Sequence, residues 1–103
     1  MVNSPFKALS HPLRREIVER LAAGPATVGE VTGDFGVSKP AISKHLKVLE
    51  ESGVVSRVIE GRTHMLSLET AALDEVTEWM VHQRTIWTRL FDVIEDHLKE
   101  EQR

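Results

Sequence analysis

The last third of the sequence constrains the fold most. Residues 70–99 run without a glycine or a proline, and at a rise of about 1.5 Å per residue they predict a helix roughly 45 Å long. With heptad position a set at Leu73, the a positions are Leu73, Met80, Trp87 and Ile94, and the g positions are Ala72, Trp79, Ile86 and Val93. All are apolar. Positions d hold Val76, Gln83, Leu90 and His97, and position e adds Phe91 and Leu98, whereas c and f stay polar from Glu75 and Glu78 to Asp96 and Lys99. That stripe is wider than the a/d seam of a two-stranded coiled coil. A chain of 103 residues has little else to cover it. The expectation is that part of the stripe packs on the chain's own N-terminal helices and part on a second copy, with Trp79 and Trp87 as buried anchors. A monomer with this helix inside one core is the alternative, disfavoured by the small size of that core.

The segments before this helix are short and sharply punctuated. NSPFKALS predicts a short helix carrying Phe6 and Leu9 into a packed surface. In PLRREIVERLAAG, Leu13, Ile17, Val18 and Leu21 share a helical face, Pro12 suits the first turn, and Gly24-Pro25 ends the segment. Thr27 and Glu30 form a capping-box pattern ahead of Val28, Val31 and Phe35, and Gly36 fits a left-handed closing position. Ser38 then caps a second helix with Pro40 in its first turn, Ile42, Leu46 and Leu49 make its buried side, and Gly53 stops it. Two short helices across a tight, glycine-containing turn are a helix-turn-helix. In VVSRVIEGRTHMLSL the period changes: 54–59 and 63–68 are rich in β-branched or apolar residues and flank Glu60-Gly61-Arg62, a hairpin with glycine in its turn.

The expected architecture is mainly α with a small β-hairpin: a winged helix-turn-helix with a long C-terminal dimerisation helix. It forms a single domain over 1–103, with the helix-turn-helix at 27–52, the wing at 54–68, and the dimerisation helix at 70–99 joined by the N-terminal helix at 4–10. Composition narrows the functions available. The chain has no cysteine, which removes disulfides, thiolate metal sites and cysteine nucleophiles and fits a cytoplasmic protein. No signal-peptide-like run opens it, and no stretch of about 18 apolar residues predicts a membrane span.

Charge is distributed unevenly beneath a formal net charge of −3. Residues 1–37 balance. Residues 38–68 carry Lys39, Lys44, Lys47, Arg57 and Arg62 against Glu50, Glu51 and Glu60, net +2, and the segment after them is net −5. For a phosphate-bearing partner the local field matters more than the total. Opposite Ile42, Leu46 and Leu49 lie Lys39, Pro40, Ser43, Lys44 and Lys47. A solvated helix face is the plain alternative, but here the helix follows a capped helix across a short turn and precedes a hairpin tipped by Arg62. A helix so placed enters the DNA major groove with its N-terminal half against base edges. Lys39 and Lys44 can donate to guanine and Ser43 can pair with several bases. Lys47, farther along, meets phosphate. Ser38 caps the helix or contacts phosphate, and both remain open. His45 sits beside the buried face, a place for packing or a backbone contact. Arg62 can reach a minor groove or its phosphates, and Arg57, in an alternating strand, is open to either face.

GPATVGEVTGDFGVSKPAISKHLKVLEESGVV followed by EGRTHMLSL resembles the ArsR family of bacterial winged-helix transcriptional regulators, and the similarity runs from LSHPLRREIVERL through the last helix. The resemblance implies operator DNA contacts at Ser38, Lys39, Pro40, Ser43, Lys44, His45 and Arg62. It also implies a homodimer through the first and last helices, which places Phe6, Leu9, Leu73, Val76, Met80, Trp87, Leu90, Phe91 and Ile94 at the interface. Repression relieved by an effector is the usual outcome. Many members sense metals, and here the chain departs from the pattern. The cysteine cluster is absent, His82 follows Met80 where an aspartate is needed, and His97-x-x-Glu100 keeps half of a zinc pattern. No metal and no cofactor are therefore expected, the effector is unknown, and the ending QRTIWTRLFDVIEDHL resembles a metal-independent subgroup.

The expected function is a sequence-specific, homodimeric repressor of a near-palindromic site on double-stranded DNA. The alternatives are a winged-helix protein-interaction module and a metal-responsive repressor with a degenerate site. An enzyme is disfavoured: five histidines and sixteen acids are present, but no His-Glu-x-x-His, nucleophile elbow or phosphate loop accompanies them. Non-specific DNA compaction is disfavoured by the modest positive charge and the lack of a basic tail.

Overall fold

The computed structural model describes residues 4–101. Helix α1 (Pro5–Ala8) is a single turn capped by Ser4, whose Oγ accepts from the Lys7 N–H at 3.2 Å. Helix α2 spans Pro12–Ala22, with Pro12 at its start, where a missing N–H costs nothing, and His11 Nδ1 accepting from the Leu13 N–H. Helix α3 (Val28–Phe35) opens on a complete capping box: Glu30 N–H donates to Thr27 Oγ1, and Thr27 N–H donates back to Glu30 Oε1. Gly36, at φ 59°, closes it in the left-handed conformation.

Helix α4 (Lys39–Glu51) begins at Ser38, whose Oγ accepts from the Ala41 N–H at 3.3 Å. It ends in a Schellman motif, in which Gly53 N–H reaches Glu50 O and Val54 N–H reaches Leu49 O, both at 3.1 Å. Gly53, at φ 78°, supplies the left-handed residue that this motif requires. Strands β2 (Val55–Glu60) and β3 (Thr63–Leu68) pair from Val55↔Leu68 out to Glu60↔Thr63. Gly61 has φ 61° while no described non-glycine residue has positive φ, so the two-residue connection has the II′ pattern, glycine first. A two-residue strand β1 (Ala26–Thr27) pairs with β3 to give the sheet order β1-β3-β2. The sequence predicted the hairpin but not this third strand.

The core lies where these pieces meet. Ile17 and Leu21 of α2, Val31 of α3, Ile42, Leu46 and Leu49 of α4, and Val54, Val55 and Leu66 of the hairpin are buried together with Ala8 and Ala26. Arg20 ties α2 to α3 through Asp34 at 2.8 Å and Glu30 at 3.7 Å. Helix α5 (Thr70–Glu101) differs from the rest. Ala72 and Leu73 pack against the core, yet none of its described residues is fully buried. It stretches the molecule to 72 Å along one axis against 26 and 25 Å on the others.

Candidate nucleic-acid interface

The outward face of α4 is the basic one. Ile42, Leu46 and Leu49 are buried, and at helical spacing this turns Lys39, Pro40, Ser43, Lys44 and Lys47 to solvent, where all five are exposed. Ser38 is exposed and acts as the N-cap. Among the described residues Lys39, Lys44 and Arg62 form no ion pair, and Lys47 makes only a 4.0 Å approach to Glu51 while its side chain stays 77% exposed. Cations so placed are available to an outside anion.

Facing this helix across a cleft of about 590 Å³ is the wing. Lys39 and Ser43 line the α4 wall, Arg57, Arg62, Thr63 and His64 line the hairpin wall, and Thr27, Val28 and Gly29 at the start of α3 close the end. One depression therefore gathers residues from five elements, with Lys39, Arg57 and Arg62 as its fixed positive charges.

Two of the expected contact residues are engaged elsewhere in the protein. Arg57 is not an open surface cation: its Nε donates to Glu50 Oε1 at 2.7 Å, its Nη2 to Glu50 Oε2 at 3.3 Å, and its Nη1 approaches His64 Nδ1 at 3.0 Å. His45 is half-buried and turned toward α2. Its ring lies 4.4 Å from that of His11, and Arg14 Nη1 approaches its Nδ1 at 3.3 Å. A guanidinium only donates, so Nδ1 accepts and the ring proton sits on Nε2. Burial first, then the neighbouring His11 and Arg14, hold the His45 pKa below its ordinary value of 6.5. Arg14 also donates to Ala8 O at 2.6 Å and Lys7 O at 3.2 Å, satisfying the end of α1. Sequence reasoning missed Arg14. Its partner lies 31 residues away, and only an arginine on the margin of an apolar helix face hinted at an inward role.

The residues assigned to an interface between copies lie on α1 and α5. Phe6 meets Trp79 edge-on, with ring centroids 5.8 Å apart, and this contact seats α1 on α5. Leu9, Leu73 and Val76 are half-buried within the chain. Met80, Trp87, Leu90, Phe91 and Ile94 are exposed, as are Trp79, Ile86, Val93 and Leu98. His82 is exposed on α5, and His97 pairs with Glu101 at 3.1 Å. Among the described residues no three His, Asp or Glu side chains converge on a metal position, and no described helix is long and apolar enough to cross a membrane.

A helix-turn-helix with an exposed cationic second helix, flanked by a wing, defines the class: a winged-helix DNA-binding regulator. Comparison with known proteins agrees. Residues 11–57 match the family described as bacterial regulatory protein, arsR family. The transcriptional repressor SdpR of Bacillus subtilis is 38% identical over 81 residues, covering 79% of this chain and 90% of SdpR. The HTH-type transcriptional regulator Rv2034 of Mycobacterium tuberculosis is 44% identical over 68 residues, 66% of this chain and 64% of its own. Among solved structures, a crystal structure of an ArsR family transcriptional regulator superposes with a TM-score of 0.74 at 35% identity, covering 81% of this chain and 91% of the other. An ArsR-like transcriptional regulator from Rhodococcus sp. RHA1 gives 0.70 at 28%, covering 88% and 86%. The chain belongs to the ArsR family of bacterial transcriptional regulators.

Proposed function

We propose that the protein is a homodimeric transcriptional repressor that reads a near-palindromic site on double-stranded DNA. The observation that carries this reading is the exposed face of α4, with Lys39 and Ser43 set across a cleft from Arg62 and Lys44 exposed beside them. In the complex, α4 enters the major groove. Lys39 and Lys44 donate to guanine O6 or N7, Ser43 pairs with a neighbouring base, and Lys47 neutralises a phosphate. Arg62, at the wing tip, reaches the adjacent minor groove or its backbone. Ser38 remains the cap of α4 and presents its exposed edge toward the same backbone.

The second half of the proposal concerns α5. Trp87, Leu90, Phe91 and Ile94 are exposed along one side of a helix that no element among the described residues covers. A second copy related by a two-fold axis covers this stripe and α1 together. It also sets two α4 helices about 34 Å apart, one turn of DNA. SdpR is named as a transcriptional repressor, which supports repression here. Among the described residues no three His, Asp or Glu side chains gather as a site for an inducing metal.

Selecting bound duplexes from a random pool at fixed salt tests the whole reading. A pair of inverted half-sites about one helical turn apart is the expected product. Recovery of sequences with no shared motif, at an affinity equal to that for random duplex, refutes sequence-specific reading.

A further inference from the structure

The wing and α4 contact DNA as a pair only if the gap between them is fixed, and the hairpin's own packing does not fix it. Leu66 is the outermost buried residue of the sheet, paired with Arg57. Beyond that pair His64 and Met65 are half-buried, with Met65 still paired to Thr27 of β1, but Val58, Ile59, Glu60, Gly61, Arg62 and Thr63 are all exposed. The part of the wing that carries Arg62 therefore stands clear of the core, and a two-stranded ribbon in water has little stiffness of its own.

One side chain bridges this gap. Arg57 lies on the same face of the sheet as Leu66, the face turned to α4, because residues directly opposite in an antiparallel pair share a face. Its guanidinium takes Glu50 of α4 side-on through two hydrogen bonds and reaches outward to His64, which pairs with Ile59 one diagonal step nearer the tip. A single planar group thus joins the recognition helix, β2 and the outer half of β3. The Arg57 and Glu50 side chains are 26% and 28% exposed, so water screens the pair less than it screens an open surface pair, and bidentate geometry makes it directional. Glu50 and His64 take three of the five guanidinium N–H groups, including the Nε–Nη2 edge, so a side-on phosphate contact would have to displace Glu50. Anchoring and direct DNA contact are competing uses of this arginine.

We infer that Arg57 is a positioning residue of the DNA-binding surface: anchored on Glu50 and His64, it sets the separation of the wing from α4 and so makes the Arg62 contact depend on how α4 is seated. This rests on the DNA-reading function proposed above, and two measurements separate the two ideas. The first needs no DNA. The chain has no cysteine, so spin labels at Lys47→Cys and Glu60→Cys, diluted with unlabelled chain, report the gap between α4 and the wing. A narrow distance distribution is expected in the parent. It broadens in Arg57→Ala and Glu50→Ala and narrows again in the charge-exchanged pair Glu50→Arg with Arg57→Glu. Glu50→Gln, nearly isosteric, replaces any alanine variant that fails to fold and is expected to broaden the distribution as well.

The second measurement uses the duplex selected by the parent. Arg62→Ala lowers affinity about tenfold in the parent, but about two-fold or less once Glu50 or Arg57 is alanine, a coupling of the size found within one side-chain network. The charge exchange restores the full Arg62 effect. An unchanged distance distribution in Glu50→Ala overturns the inference. So does an Arg57→Ala loss that adds to that of Arg62→Ala and lowers the salt dependence by about one phosphate, because that result marks a direct contact. If the parent prefers no duplex, the DNA-reading proposal falls on its own, and the label distances still decide whether Arg57 holds the wing.

Discussion

Replacing Trp87 with glutamate tests whether the exposed stripe of α5 is a contact between copies. Trp87 is 55% exposed. An indole side chain presents at most about 250 Å², so roughly 140 Å² is open to a partner. At about 25 cal/mol per Å², covering it contributes about 3.5 kcal/mol, and a two-fold axis counts it twice, about 7 kcal/mol per dimer. Each 1.4 kcal/mol is a factor of about ten, so full coverage is worth about five decades in the dimer dissociation constant; coverage of half the area leaves more than two decades. Glutamate removes that burial and places a charge where desolvation is costly. Sedimentation equilibrium at concentrations where the parent is dimeric should therefore find Trp87→Glu monomeric, with its helical signal largely retained in the body of the domain. DNA affinity should fall with it, since one copy reaches one half-site. A variant that dimerises on the parent's curve refutes the argument and removes Trp87 from any interface.

The other expectations concern reading, core and pH. Lys44→Ala should cost about 1–3 kcal/mol on the selected site and relax base preference at one position, measured by competition binding against single-base variants. Lys47→Ala should weaken all duplexes alike and reduce the slope of log affinity against log salt by about one contact. Leu46→Ala, fully buried in the core, should lower unfolding stability by about 2–5 kcal/mol in urea titrations. For His45 the folded pKa lies below the ordinary 6.5, so the unfolded chain takes up the proton first. Its contribution is complete above about pH 6.5, declines as pH falls toward the folded value, and is level below it. Urea midpoints of the parent should fall across that window more steeply than those of His45→Gln, and equal slopes would contradict the assignment.

Much of this molecule is written in local chemistry. Thr27 with Glu30, Ser38 ahead of Pro40, and the left-handed Gly36, Gly53 and Gly61 mark the element boundaries, because caps and turns depend on residues within four positions of one another. The spacing of Ile42, Leu46 and Leu49 likewise determines which side of α4 faces out. What remained hidden depends on partners distant in sequence. Strand β1 is two residues long, too short to show a period, and exists because β3 offers it a free edge. Arg57 reads as a free basic residue until Glu50 and His64, each seven positions away, are brought beside it. His45 reads as a packing residue from its position and as a DNA contact only from the family resemblance, but its partners His11 and Arg14 are set beside it only by folding.

Every described residue of α5 at positions 84–101 is exposed, and this gives the helix an unusual dependence. A peptide of that length is only marginally helical in water when nothing packs on it. If the proposed second copy supplies its order, that order rises and falls with the amount of material in solution. Dilution alone should fray the tail, exposing its backbone to proteases before the rest of the domain loosens. Scarcity of the protein would thereby shorten its own survival, linking copy number to turnover without any added signal.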